Sequence, residues 1–126
     1  MKKLLPLLIT TLIIPNSLLA FSAKDCQALA SEINSTLPMA IDNITTLKTT
    51  VCVPNKKKPL LIYFYDISDN TITENQIHSL WENVKNFWCT DPQQLDLIKL
   101  VDVEYTYNDL SGKFLGRNKY SIKDCR

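Results

Sequence analysis

Glycine is nearly absent: Gly112 and Gly116 are the only two in 126 residues. A phosphate-cradling loop or a dinucleotide fingerprint needs several glycines at fixed spacing, so neither can be assembled from this chain. Histidine is scarcer still, with His78 alone. One imidazole excludes a multi-histidine metal centre. A catalytic base would also need an orienting carboxylate and a nucleophile, and the nearest sequence candidate is Glu82, one helical turn on. No CxxC pair occurs among the four cysteines, which removes the usual zinc and redox spacings. An excess of either charge is missing, 14 basic residues against 13 acidic ones leaving a formal net charge of +1. Such a balance sets up no field to steer nucleic acid or an anionic membrane surface. The longest apolar stretch, residues 4–14, falls well short of the roughly 20 residues that cross a bilayer as a helix.

What is present begins with that stretch. Lys2 and Lys3 precede it, Pro15 and Asn16 end it, and small residues follow at Ser17, Ala20, Ser22 and Ala23. This is the layout of a cleaved export signal. The sequence predicts a leader over residues 1–22, with cleavage after Ala20 as the near alternative, and one domain over 23–126. Loss of Lys2 and Lys3 takes the net charge from +1 to −1. All four cysteines, Cys26, Cys52, Cys89 and Cys125, lie in the mature part. An even count in a small exported domain predicts two disulfides, for which three connectivities are open. A bridge closing 89 to 125 is worth about 3–4 kcal/mol on the loop-entropy argument.

Periodicity supplies the elements. Cys26, Leu29, Ile33 and Leu37 recur at helical steps and predict a helix over 25–37, ended by Pro38. From Ile44 the period drops to two, with Leu47, Thr49, Val51 and Val53 on one face and Thr46, Lys48, Thr50 and Cys52 on the other. A basic, proline-bounded turn, 54–59, leads into a second strand, 60–66. That strand is apolar on both faces, which predicts a central strand covered on both sides. Thr73 and Gln76 match a capping box. The helix behind it carries Ile77, Leu80, Trp81, Val84, Phe87 and Trp88 on one stripe. Asp91-Pro92 opens a further short helix. Val101, Val103, Tyr105 and Tyr107 then alternate with Asp102, Glu104, Thr106 and Asn108, and a last strand follows a turn at 108–112. The predicted fold is α+β: a small antiparallel sheet of two hairpins with helices packed on it, stapled by disulfides.

Candidate functional residues are few. Lys56, Lys57 and Lys58 form a compact basic tip suited to an acidic partner. Tyr63, Tyr65, Tyr105, Tyr107 and Tyr120 make the strands tyrosine-rich. Tyrosines left on an uncovered face, Tyr105 and Tyr107 foremost, would make a protein-binding patch, whereas inward-facing ones would be core. Asp102 and Glu104 share a strand face, and they or the Asp66/Asp69 loop are the only carboxylate groupings with glycosidase-like possibilities. No cofactor and no metal are implied.

Cys89-Thr90-Asp91-Pro92, the run 103–107, the turn 109–112 and Ser121-Ile122-Lys123-Asp124-Cys125 form a layout, joined upstream by Ile44-Thr45-Thr46-Leu47 and Leu61-Ile62-Tyr63. Across 43–125 this resembles small exported bacterial proteins grouped as quorum-sensing-regulated virulence factors and related periplasmic proteins. The resemblance implies an α+β fold, an exported location and a Cys89–Cys125 bridge, leaving Cys26 with Cys52; it implies no activity. The sequence thus predicts a non-enzymatic periplasmic or secreted protein. Its expected partner is another envelope or secreted protein rather than nucleic acid. An envelope hydrolase or a secretion-complex assembly factor stand as alternatives.

Overall fold

A computed structural model describes residues 21–55 and 57–125; the leader predicted over residues 1–22 lies almost wholly outside them. Helix α1 (Ala23–Asn34) starts at a capping box, where the Ser22 side chain accepts from Asp25 N–H and the Asp25 carboxylate accepts from Ser22 N–H. Its end comes before Pro38. The hydroxyls of Ser35 and Thr36 donate to the carbonyls of Glu32 and Ile33, competing with the backbone ladder. After a two-residue strand β1 (Met39–Ala40) come β2 (Thr45–Val53) and β3 (Leu60–Ile67). The capped helix is two helices, α2 (Glu74–His78) and α3 (Trp81–Thr90). Ser79 breaks it, its hydroxyl donating to Gln76 O at 2.6 Å. Then follow α4 (Pro92–Ile98), capped by the Asp91 side chain, strands β4 (Asp102–Asp109) and β5 (Phe114–Tyr120), and a 3₁₀ turn at Ile122–Cys125.

The five strands form one sheet in the order β1-β2-β3-β4-β5. The β2–β3 and β4–β5 neighbours are antiparallel, but β3 and β4 run parallel, Tyr63 opposite Tyr105 and Tyr65 opposite Tyr107. The α+β class holds, but the expected small antiparallel sheet of two hairpins is corrected to a five-stranded sheet that is mostly antiparallel with one parallel pair. A parallel pair needs a crossover, and α2, α3 and α4 provide it. β1 was missed because two residues carry no periodicity.

One sheet face is the core. Leu61, Tyr63, Tyr65 and Ile67 of β3 and Val103, Tyr105 and Tyr107 of β4 are buried there. α1 meets it through Cys26 and Ala30, while Trp81 and Trp88 of α3 reach Tyr107 and Tyr105. The covered-on-both-sides reading of β3 is corrected in turn: Leu60, Ile62, Phe64 and Asp66 are only half-buried on the opposite face. A bulge between Leu47 and Thr49 also regroups β2. Leu47, Thr50 and Cys52 point inward, and Thr49, Val51 and Val53 pair with the outer-face residues Phe64, Ile62 and Leu60.

Two disulfides tie the layers. Cys26–Cys52 joins α1 to β2, and Cys89–Cys125 joins the end of α3 to the final turn.

β1 covers only the Thr46–Leu47 part of the β2 edge. At Thr50 the Asn34 side chain takes over: Thr50 N–H donates to Asn34 Oδ1 at 2.7 Å and Asn34 Nδ2 donates to Thr50 O at 2.9 Å. A carboxamide thus imitates a neighbouring strand at that one position of the edge. Asn34→Ala is expected to cost about 1–3 kcal/mol, by leaving part-buried backbone groups unpaired, and urea unfolding reads this directly.

Candidate partner interface

The sequence singled out Lys56, Lys57, Lys58, Tyr105 and Tyr107, and the structure does not bring them together. Lys56 lies outside the described residues. Lys57 is exposed, while Lys58 is half-buried, its ammonium donating to Ile98 O at 3.1 Å and lying 3.7 Å from Asp102. Lys58 therefore secures the start of β3 against α4 and β4 rather than projecting as part of a free tip.

Tyr105 and Tyr107 present no surface at all, both being 0% exposed. They belong to a stacked aromatic core: Tyr65 to Tyr107 at 4.8 Å between ring centroids, Tyr63 to Tyr105 at 5.1 Å, Tyr65 to Tyr105 at 5.3 Å. A tyrosine patch at these two positions is corrected, because their strand face is the one the helices cover. Trp88 Nε1 donates to Tyr105 Oη at 3.0 Å, and Tyr120 Oη donates to Trp81 O at 3.1 Å.

Burial holds every tyrosine of the chain in its neutral form to unusually high pH. Tyr105 is pushed up to about 12, less than its neighbours because Trp88 donates to its oxygen. Tyr63, Tyr65, Tyr107 and Tyr120 are raised as well, first by desolvation and then by nearby tyrosine oxygens. A phenol whose pKa in the native state exceeds the ordinary 10 binds more protons folded than unfolded between those values. Its stabilising contribution is complete below pH 10 and drains away as pH rises toward 12. An alkaline titration of phenolate absorbance is expected to show no tyrosine ionising near pH 10 in the native protein. Instead, one cooperative rise should accompany unfolding, whereas a gradual component at the ordinary pKa would show a tyrosine open to solvent.

The carboxylates sort into separate pairs. On the outer face Asp102 is held by Lys58, Glu104 by Arg117 at 3.5 Å and Asp66 by Lys48 at 3.8 Å. Asp69 sits in a turn, its Oδ1 accepting from Thr71 N–H and hydroxyl, which holds its carboxyl below the usual range. His78 ends α2, and the break after it separates it from Glu82 on α3. Neither the carboxylates nor the histidine converge.

What the fold does expose is its outer sheet face. Across β2, β3 and β4 the rows run Val53–Leu60–Asp102, Val51–Ile62–Glu104 and Thr49–Phe64–Thr106. On β5 the face continues through Lys119, Arg117 and Phe114. Val51 is 42% exposed, Val53 38% and Phe114 47%. Three ion pairs rim the apolar rows, and the Arg117 guanidinium lies 5.3 Å from the Phe114 ring centroid. Sequence reasoning missed this face because the doubly apolar β3 suggested cover on both sides. The signal was there in Val51 and Val53, whose period continues past the bulge.

No protein-family model matches the chain, and no curated protein matches it in sequence. The fold, however, is shared with solved structures. A protein of Pseudomonas aeruginosa assigned as secreted (PA3611) superposes with a TM-score of 0.67 at 14% identity, over 82% of this chain and 92% of that one. The pilotin EpsS of the Vibrio vulnificus type 2 secretion system gives 0.67 at 9% identity, over 80% and 88%. The type II secretion system pilotin AspS of Vibrio cholerae gives 0.57 at 9% identity, over 86% and 100%. At these identities the likeness is one of fold. Among the described residues no helix is long and apolar enough to cross a membrane.

Proposed function

We propose that this chain is an exported, non-enzymatic binding protein of the bacterial envelope, whose partner is another envelope or secreted protein. The observation that carries the reading is the helix-free sheet face. Val51, Val53 and Phe114 stand exposed there, ringed by ion pairs, on a scaffold whose other side is closed and cross-linked. Exposed apolar area with a polar rim is what a protein interface looks like before its partner arrives. The disulfides support an oxidising compartment. A role as a secretion-complex assembly factor is the more specific version, supported by a fold held in common with two pilotins. The resemblance to quorum-sensing-regulated virulence factors supports export without choosing the partner.

Removal of the predicted leader bears on the same scaffold. Ser22 caps α1 and Phe21 packs against the core, so cleavage after Ala20 keeps both and cleavage after Ser22 discards both. We therefore expect cleavage after Ala20 in place of the 1–22 leader read from the sequence: N-terminal sequencing of the mature protein reads Phe21 first, and Ala23 first would show that the cap is dispensable. The functional reading is tested by purifying the protein, with its leader encoded, from envelope extracts. One stoichiometric partner is expected with the wild type and its loss with Val51→Asp/Val53→Asp. Equal recovery with both, or no partner with either, contradicts the reading.

A further inference from the structure

The sheet has two edges, and they are treated differently. The β2 edge is covered at Thr46–Leu47 by β1 and at Thr50 by the Asn34 carboxamide. The β5 edge has β4 on one side only. A strand with one neighbour keeps half its N–H and C=O groups facing outward, a template for a further strand. No backbone group of another described segment pairs with it.

The charge along that edge is one-signed. Residues 113–123 contain Lys113, Arg117, Lys119 and Lys123 and no carboxylate. Of these, Arg117 and Lys119 point to the outer face, where one β4 carboxylate serves both: Glu104 stands opposite Lys119 in register and ion-pairs with Arg117, whose own register partner is Thr106. The two exposed cations of β5 thus share one carboxylate, Glu104, on the β4 side.

This pattern selects among occupants. A second copy pairing β5 with β5 would set these cations against one another, and like charges across a strand pair are destabilising. Residues 1–20 cannot serve either, since they carry Lys2 and Lys3 and no carboxylate. We infer that β5 is a strand-addition site for an extended acidic segment of the partner protein, with carboxylates at alternate positions facing Arg117 and Lys119. The added strand would set carboxylates on the open side of β5 as Glu104 of β4 stands on the other, and it would extend the apolar face past Phe114. The inference rests on the partner-binding reading above and adds the partner's chemistry.

The test uses the complete mature chain and a synthetic twelve-residue peptide alternating glutamate with valine or threonine. Its lysine counterpart and a form N-methylated at alternate amides serve as controls. Amide exchange and chemical shifts are followed residue by residue. The expected result is binding of the glutamate peptide alone, with slowed exchange confined to the β5 amides. Arg117→Glu/Lys119→Glu should weaken it about tenfold, as two lost charge pairs imply. Lys119→Glu, which keeps the Arg117–Glu104 pair, should weaken it less. Equal binding of both peptides, an unaffected N-methylated control, protection elsewhere, or no binding at millimolar peptide overturns the inference. Should the envelope partner respond to the Val51/Val53 substitutions and not to those at Arg117 and Lys119, the edge assignment fails while the binding function stands.

Discussion

A variant with serine at both Cys89 and Cys125 is expected to lose about 4 kcal/mol of stability, and its midpoint of thermal unfolding to fall by about 15–30 °C. The bridge spans 36 positions, and closing a loop of that length removes much of the unfolded chain's freedom. It also sits where little else holds the chain. The final turn packs on α3, and none of its residues is buried. The companion variant at Cys26 and Cys52, spanning 26 positions, should lose slightly less on loop length alone, about 3.5 kcal/mol. Its effect is expected to reach the β2 edge as well, since α1 carries both Cys26 and the Asn34 carboxamide. A domain of this size has about 5–15 kcal/mol in total, so removing both bridges together is expected to leave it largely unfolded at body temperature. Calorimetry of the single and double removals, with and without reductant, measures each step.

The second large effect is expected at Trp88. Its side chain is fully buried, crosses Tyr63 edge-on at 6.2 Å and donates its indole N–H to Tyr105. Trp88→Ala removes the largest buried side chain and should cost about 3–5 kcal/mol. Trp88→Phe keeps most of the packing but takes away the hydrogen bond, for an expected cost of about 1–3 kcal/mol. Denaturant titration separates the two. A lower midpoint with an unchanged slope is expected in both, and a Phe variant as damaging as the Ala variant would show that the hydrogen bond outweighs the packing. Trp88→Phe should also let Tyr105 ionise at higher pH, because the donor that favours its charged form is gone.

How far the fold was legible depended on the range of the information. Local signals read true: the Thr73–Gln76 capping box, the Asp91-Pro92 helix start and the alternation of β4 each depend on residues a few positions apart. The misreadings arose where a competing hydrogen bond or a distant partner decided. Ser79 broke one helix into two by donating to Gln76 O. The Leu47/Thr49 bulge moved Leu47 to the face opposite Val51, so the simple alternation of β2 grouped Leu47 with Val51 and Val53 when it shares the buried face with Thr50 and Cys52. Thr50 is tolerated inside because its hydroxyl reaches Ala30 O and Asn34 Oδ1. The parallel β3–β4 pair is invisible to periodicity, since a strand's pattern does not record its neighbour's direction.

The site was less legible than the fold. Basic and aromatic residues drew the reading toward Lys58 and Tyr105, yet Lys58 secures a strand end and Tyr105 is core. The surface on offer is made of Val51, Val53 and Phe114. Exposed aliphatic side chains on a strand look like core residues until the layers are known.

The most direct test of the account places a photo-crosslinking residue at Val51, on the helix-free face, and separately at Glu82, on the exposed side of α3. Irradiation of cells exporting each protein is predicted to give one defined adduct with an envelope protein from position 51 and none from position 82. Adducts from position 82 alone, or from neither, would contradict the claim that this chain meets its partner through the uncovered side of its sheet.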